Sequence, residues 1–204
     1  MIKKLRDQFE KSLKLLDKLF SEDNIRYLKI SNIEISKFMV PEISANGSFL
    51  KGPTEYREVY NEQIQSILSE VKLPSLYFFE LLDPNPKLVH YTYHCYSKNQ
   101  RNANGNKNRV CSAVNKDFDH MNDQNYRSIL YVGKSKKPVS GRIVVHFGYY
   151  EKGIAGLQLV YWGKEIDLKF NLHVFEIQNE KLIPFLELYE KIFFENLKPI
   201  IGIK

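Results

Sequence analysis

The chain has 204 residues, of which 43% are hydrophobic and 26% are charged. This composition supplies a core and excludes a wholly disordered protein. The sequence contains no apolar run of about 18 residues, and its first 20 residues lack the apolar stretch of a signal peptide. We therefore expect a cytoplasmic protein without a membrane partner. Lys and Arg outnumber Asp and Glu by 30 to 24, a net charge of +6 that is compatible with a nucleic-acid partner.

Residues 1–70 are predicted to form a helical N-terminal extension. Apolar residues recur at three- and four-residue steps in 1–20 and again in 54–71, which is typical of amphipathic helices. Mixed patterning with Pro and Gly turn signals separates the two segments. We recognise no catalytic chemistry here and interpret this part as a packing or partner-binding appendage.

Residues 71–204 are predicted to form a second unit of alternating strands and helices. Strand patterns cover residues 75–82, 88–96, 127–133, 157–162 and 168–177. Helix patterns cover residues 139–151 and a closing segment that begins near Pro184 and runs to about Leu197, with Pro199 beyond it. This order predicts an α+β fold, with a small, mostly antiparallel sheet flanked by helices.

The segment 97–109 is basic and contains no acidic residue. Its cations stand among five asparagines, a composition from which no core can be built. Two compatible interpretations follow, a solvated loop and a loop that contacts DNA phosphates. The candidate DNA-binding residues are Lys98, Arg101, Lys107 and Arg109.

The two cysteines do not predict a structural site. Cys95 and Cys111 are too few for a disulfide framework and form no C-x-x-C pair. The nearby His90, His94 and His120 match no standard zinc spacing. We expect no zinc site.

Four short features carry the chemistry. They are Ser-Leu-Tyr at 75–77, Tyr-Val-Gly-Lys-Ser at 131–135, Arg142 with His146, and Glu190 nine residues before Pro199. Arg142 and His146 are four positions apart and share one face of a predicted helix. Taken singly, each feature has an ordinary alternative, such as a packed strand tyrosine, a surface histidine or a solvated helix glutamate.

In their order and spacing, these features resemble the GIY-YIG nuclease family. Residues 75–77 are similar to the first signature, and residues 131–133 to the second. The run that follows, through Arg142 and His146, is similar to the family's G-x-S/T…R…H pattern. The segment from Glu190 to Pro199 is similar to its catalytic-glutamate helix. The resemblance covers about residues 74–82 and 127–204.

The chain departs from the family in three places. Tyr77 and Tyr131 are 54 positions apart, where the family has a short hairpin, which implies an inserted region at about residues 84–126. Ser75 replaces a glycine of the first signature. Gly202 stands where the family often has an asparagine, whose loss would remove a hydrogen bond near the site.

The resemblance implies metal-dependent hydrolysis of phosphodiester bonds in double-stranded DNA, by an enzyme of restriction or defence type. Glu190 would hold Mg²⁺, with Mn²⁺ as an alternative, and Arg142 would bind the scissile phosphate. Tyr77 would act as the base that takes a proton from water. A phenol has a pKa near ~10, so a neighbouring cation such as Lys134 or Arg142 would have to favour the phenolate.

Two further residues are assigned to the implied site. His146 would hydrogen-bond a tyrosine or relay the proton, and Tyr131 would orient the water or the phosphate. A homodimer is expected if both strands of a palindrome are cut, because one site serves one strand. Two other functions stay open, a non-catalytic nucleic-acid-binding module that retains the fold and a protein–protein interaction domain.

Overall fold

A computed structural model describes residues 24–35, 68–102, 129–149 and 156–202. The strands are β1 (Ile25–Glu34), β2 (Ser75–Leu81), β3 (Ile129–Ser135) and β4 (Lys169–Ile177). The α-helices are α1 (Pro86–Asn102), α2 (Val139–Phe147), α3 (Leu159–Trp162) and α4 (Leu186–Leu197), and 3₁₀ turns span Gly163–Glu165 and Glu180–Phe185. The helix predicted for 1–20 lies outside the described residues. The helix predicted for 54–71 is described only in its last part, where residues 68–70 are helical.

The four strands form one antiparallel sheet in the order β1-β4-β2-β3. Strand β2 is central, and Tyr77 lies opposite Gly133 of β3 on one side and Val174 of β4 on the other. The chain beyond α4 returns to the β3 edge, where the Ile201 N–H donates to the Leu130 carbonyl over 2.9 Å. The prediction of an α+β fold with a small antiparallel sheet and flanking helices is confirmed.

Because side chains alternate across a strand, the two faces of the sheet bury different sets of residues. One face packs on α1, α2 and α3 and forms the main core, which contains Tyr77, Phe79, Tyr131, Leu172 and Val174. The other face packs on α4 through a smaller cluster formed by Leu76, Ile177, Leu182, Leu186 and Tyr189. The sheet is therefore covered on both sides, and α4 lies on the face opposite α2.

The strand predicted for residues 88–96 is wrong, because this segment lies in helix α1. Asn85 starts the helix, since its side-chain Oδ1 accepts the Leu88 N–H over 2.9 Å. Pro86 follows at the first helical position, where its missing N–H costs nothing. The buried residues Val89 and Thr92 are three apart, a helical spacing. The helix also takes in residues 97–102 of the predicted basic loop.

The strand predicted for residues 157–162 is also wrong. Leu159–Trp162 is a short helix, and the Trp162 indole N–H closes it by donating to the Leu157 carbonyl over 2.8 Å. All six residues from 157 to 162 are buried. A short apolar run that is buried on every side has no periodicity to separate strand from helix.

The other predicted elements agree with the structure to within a few residues over the part of the chain that it describes. Helix α2 ends at Gly148, whose left-handed φ of 103° closes the helix. Pro184 lies inside a 3₁₀ turn, and helix α4 begins after it at Leu186. Strand β1 corrects part of the helical extension predicted for residues 1–70, because residues 25–34 pair with β4 in the sheet. An irregularity between Ile30 and Ile33 breaks the alternation that would have predicted this strand. Among the described residues, no helix combines the length and apolarity needed to cross a membrane.

Candidate active site

Tyr77 lies in the centre of the sheet and leans over Gly133. A Cβ atom placed on Gly133 would lie 2.6 Å from the Tyr77 hydroxyl oxygen and 2.7 Å from Cε1 of Tyr131. Gly133 and Tyr131 are two apart on β3 and therefore share a face, so the glycine leaves the space that the two phenol rings fill. The Tyr-Val-Gly sequence thus has a steric reason, since only glycine permits this approach.

Helix α2 brings His146 against both rings. The Tyr77 hydroxyl and His146 Nε2 are 2.8 Å apart, and the centroids of the His146 and Tyr131 rings are 4.8 Å apart. His146 is fully buried, and Tyr77 is 1% exposed. The other imidazole nitrogen, Nδ1, accepts the backbone N–H of Leu157 over 3.3 Å.

These contacts fix the tautomer of His146. Burial, reinforced by the charge of Arg142, lowers the pKa of His146 well below 6.5, so the ring is neutral at pH 7. Since Nδ1 accepts a backbone N–H, the hydrogen of the neutral ring is on Nε2. The His146 Nε2–H therefore donates to the Tyr77 oxygen, and the hydrogen of Tyr77 is left to point elsewhere. In this state His146 cannot take a proton from Tyr77.

Arg142, one turn before His146, lies beside both phenols. Its charge and its hydrogen bonds act on Tyr77 and Tyr131 and lower the pKa of each. Burial acts in the opposite direction and is the larger effect, so the pKa of Tyr77 lies well above 10.0 and that of Tyr131 is also raised. Both tyrosines are neutral in the free protein. The cation beside Tyr77 is present as predicted, but it does not by itself produce a phenolate.

Glu190 projects from α4 toward the same place. Its charge reaches both phenols and raises the pKa of each. Its carboxylate Oε2 accepts a hydrogen bond from the Lys134 ammonium over 2.7 Å. The side chain of Glu190 is 28% exposed and that of Lys134 is 26% exposed. Lys134 therefore pairs with Glu190, whereas the cation that acts on the phenols is Arg142.

The six residues proposed as catalytic come from four elements. They are Tyr77 on β2, Tyr131 and Lys134 on β3, Arg142 and His146 on α2, and Glu190 on α4. Arg142, Lys134 and Glu190 are partly exposed, whereas Tyr77 and His146 are buried beneath them. A substrate would meet the two cations and the carboxylate first. The cluster combines a guanidinium, an ammonium, a carboxylate, an imidazole and two phenols.

Of the four candidate DNA-binding cations, two lie in the described part of the chain. Lys98 and Arg101 are in the last turns of helix α1, which corrects the prediction of a loop at their positions. Lys107 and Arg109 lie outside the described residues.

Two of the family departures have a structural explanation. Ser75 is fully buried, and its hydroxyl donates to the Leu73 carbonyl over 3.0 Å, so a serine fits the start of β2. Gly202 has a φ of 134°, and a Cβ there would lie 2.7 Å from Cε2 of Phe194. An asparagine at 202 would be strained and would clash, so the glycine belongs to this chain's own packing.

A carboxylate such as Glu190 suits a hard cation. Among the described residues, no group of three or more His, Cys, Asp or Glu could hold a metal ion. Mg²⁺ binds through one or two carboxylates and completes its shell with water and substrate phosphate oxygens. Glu190 is partly exposed, as such a ligand must be. The residues therefore fit a loosely held Mg²⁺ and do not fit zinc.

A second polar cluster lies on the opposite face of the sheet and was missed in the sequence. The Tyr27 hydroxyl is 2.7 Å from His173 Nδ1, and His173 Nε2 is 2.9 Å from the Glu80 carboxylate. Asn171 donates to the same carboxylate over 3.1 Å. Asn171 and His173 are two apart on a predicted strand, which was a usable signal. Tyr27 had none, because β1 was not predicted.

Comparisons with known proteins give no further identification. No protein-family model, no curated protein and no solved structure matches this chain.

Proposed function

We propose that the protein is a metal-dependent endonuclease that hydrolyses phosphodiester bonds in double-stranded DNA, with the active site formed by the six clustered residues. The observation that supports this most is the position of Glu190. Its charge and the charge of Arg142 act on the same two phenols, Tyr77 and Tyr131. The order of the sequence motifs, which resembles the GIY-YIG family, supports it independently. A restriction or defence role and a homodimer that cuts both strands belong to the same proposal.

Arg142 binds the scissile phosphate in this mechanism. Its guanidinium forms two parallel hydrogen bonds with phosphate oxygens and follows the negative charge that grows on them during hydrolysis. Arg142 is partly exposed and sits between solvent and the phenols. Glu190 would hold Mg²⁺, which when bound supplies Lewis-acid stabilisation of the leaving oxygen.

Tyr77 is the proposed base, and its surroundings are arranged to receive negative charge. Its oxygen accepts the Nε2–H of His146 and lies beside the guanidinium of Arg142. Both donors stabilise a phenolate more than a phenol. His146 is therefore a positioning residue that donates to Tyr77, and the alternative in which it relays the proton is not supported. Burial keeps Tyr77 neutral in the free protein, so its own proton must first pass to solvent before the phenolate can accept a proton from water.

A non-catalytic nucleic-acid-binding module is the second candidate. The observation that favours it is the burial of Tyr77, which is 1% exposed and keeps its proton in the free protein. This candidate requires affinity for DNA that falls with salt, without cleavage. It gives no reason for Glu190 beside a phosphate-binding arginine.

Plasmid cleavage distinguishes the two candidates. Supercoiled DNA would be incubated with the wild-type protein, Glu190→Gln and Glu195→Gln, in Mg²⁺ or Mn²⁺ and in EDTA. Glu195 is an exposed acid on the same helix and makes the same charge change away from the cluster. We expect metal-dependent cleavage by the wild type and Glu195→Gln only. Salt-sensitive DNA retention without cleavage in any metal would overturn the nuclease proposal in favour of the binding module.

A further inference from the structure

Lys134 is bound to Glu190, the carboxylate to which the proposed function assigns a divalent cation. Its ammonium is 2.7 Å from the Glu190 Oε2 atom, a direct charge-assisted hydrogen bond. A lysine ammonium is a compact point charge, like a metal ion in this respect. Two cations at one carboxylate oxygen repel each other, so the ammonium must move when a metal binds.

A second carboxylate is already within reach of Lys134. Glu187 lies one turn before Glu190 on α4, and its Oε1 atom is 3.7 Å from the same Lys134 nitrogen. Its side chain is 67% exposed, and it also pairs with Lys136 at 3.4 Å. The ammonium of Lys134 therefore lies between two acids, closer to Glu190. A shift of about 1 Å would bring it to full contact with Glu187.

Such a shift requires little free energy. The pair of Lys134 and Glu190 is about a quarter exposed on each side, and ion pairs with this degree of solvent contact are weak. Glu187 is held ionised, since hydrogen bonding to Lys136 and the charges of Lys134 and Lys136 lower its pKa. It can therefore accept the ammonium across the neutral pH range.

We propose that Lys134 is a built-in counter-ion for Glu190, which is transferred to Glu187 when a divalent cation binds and which thereby sets the metal affinity of the site. This inference rests on the proposed role of Glu190 as the metal ligand. The counter-ion keeps the carboxylate paired in the free protein. It also makes metal binding depend on Glu187, a residue outside the catalytic cluster.

Mn²⁺ binding without DNA tests the proposal, with electron paramagnetic resonance of free Mn²⁺ as the readout. Lys134→Met should bind Mn²⁺ about two- to fivefold more tightly than the wild type, because the weak, partly exposed ion pair with Glu190 no longer competes. Lys136→Met is the matched control, since it removes the same charge two residues away and pairs with Glu187 rather than Glu190. We expect a smaller change in the control. An equal gain in both variants would indicate general electrostatics and overturn the proposal.

A double-mutant cycle tests the role of Glu187. Glu187→Gln should weaken Mn²⁺ binding in the wild-type background, because the displaced ammonium loses its second acceptor. In the Lys134→Met background the same substitution should have a clearly smaller effect, since no ammonium needs to be received. Equal losses in the two backgrounds would show that Glu187 acts independently of Lys134 and would overturn the transfer.

Glu190→Gln separates this inference from the proposed function. Mn²⁺ affinity that is unchanged in Glu190→Gln would show that Glu190 is not the ligand, and the metal assignment would fail. Loss of binding in Glu190→Gln together with no gain in Lys134→Met would overturn only the counter-ion. Absence of Mn²⁺ binding in both the wild type and Lys134→Met would overturn both.

Discussion

The sheet carries a tyrosine–histidine pair on each face, and the two pairs use opposite hydrogen-bond directions. Tyr77 contacts His146 over 2.8 Å within the core, and Tyr27 contacts His173 over 2.7 Å on the other face. The difference lies in what the second ring nitrogen meets. At His146 it accepts a backbone N–H from Leu157, whereas at His173 it faces the Glu80 carboxylate.

This difference decides which tyrosine accepts a hydrogen bond from its histidine and which donates one. The pKa of Glu80 is lowered, chiefly by its hydrogen bond from Asn171 and also by His173, so Glu80 is an ionised acceptor and His173 Nε2 must donate. In the neutral ring, Nδ1 then accepts the hydroxyl hydrogen of Tyr27. Tyr77, by contrast, is the acceptor of its pair. The same two residue types thus place a hydrogen-bond donor, Tyr27, on one face and a hydrogen-bond acceptor, Tyr77, on the other.

The surroundings add a second contrast. Tyr27 is 52% exposed and has the nearby anion Glu80, whereas Tyr77 is 1% exposed and has the nearby cation Arg142. Burial raises the pKa of both phenols. Only at Tyr77 does a neighbouring cation oppose that rise, which is the condition that a base requires. This contrast is consistent with a structural role for the Tyr27 pair and with the catalytic role that we propose for the Tyr77 pair.

Gly133→Ala should disrupt the Tyr77–His146 pair, and we expect it to have the largest effect on stability and cleavage. The added methyl would lie 2.6 Å from the Tyr77 oxygen, so both phenol rings must shift. We expect a loss of about 1–3 kcal/mol in the free energy of unfolding and at least about 100-fold in cleavage rate. Denaturation curves and single-turnover cleavage measure the two quantities.

Gly141→Ala is the control for this substitution. Nothing lies within 4 Å of a Cβ at Gly141, which is exposed on helix α2. Alanine there should stabilise the protein by up to about 1 kcal/mol and leave cleavage unchanged. Equal behaviour of the two variants would contradict the close packing inferred at Gly133.

Glu80→Gln should weaken the other pair without affecting cleavage. The substitution removes the charge that accepts from His173 and Asn171, which we expect to cost about 1–2 kcal/mol in the free energy of unfolding. Glu34→Gln serves as the comparison, because Glu34 is an exposed acid whose ion pair joins it to the exposed side chain of Lys169. It should change stability by less than about 0.5 kcal/mol. A cleavage defect in Glu80→Gln would contradict the separation of the two faces.

Acid should destabilise the protein through His146. Its pKa is lowered in the folded state, so the unfolded chain takes up the proton first as the pH falls. The stability is therefore complete above the unfolded pKa of about 6.5 and declines below it, by at most about 1.4 kcal/mol per pH unit. Urea denaturation at several pH values between 7.5 and 5.5 measures the slope. His146→Gln should show a shallower slope, and an unchanged slope would contradict the neutral buried ring.

Tyr27→Phe should have the smallest effect. It removes one hydrogen bond from a half-exposed side chain and leaves the ring in place. We expect a loss of no more than about 1 kcal/mol in the free energy of unfolding. Thermal denaturation of this variant also shows whether His173 depends on the hydroxyl, since a larger loss would mean that the whole polar cluster had collapsed.

The sequence was most informative where periodicity and packing agree. Strands β2 and β4 and helix α2 have clear patterns, and the co-linear motifs named the residues that cluster around Tyr77. Helix α1 was missed because Tyr and His between its apolar positions imitate strand alternation, and the cap at Asn85 outweighs that pattern. Helix α3 was missed because uniform burial leaves no period.

The finer properties of the site depend on contacts between distant segments. The tautomer of His146 is set by the backbone of Leu157, eleven residues away, which no motif identifies. The pairing of Lys134 with Glu190 joins β3 to α4 across 56 positions. The neutral state of Tyr77 follows from burial that only the assembled core provides. Sequence motifs can identify the reactive residues, whereas the protonation states of those residues can be derived only from the folded structure.

Cleavage by Tyr77→Phe and Tyr27→Phe tests the central claim most directly. Both variants remove one tyrosine hydroxyl from a histidine partner, on opposite faces of one sheet. Single-turnover cleavage of plasmid DNA in Mg²⁺ should fall about 10²- to 10⁴-fold in Tyr77→Phe, the usual contribution of a general base. The rate of Tyr27→Phe should equal that of the wild type. Wild-type cleavage by Tyr77→Phe, or an equal loss in both variants, would contradict the assignment of the active site to the Tyr77 face.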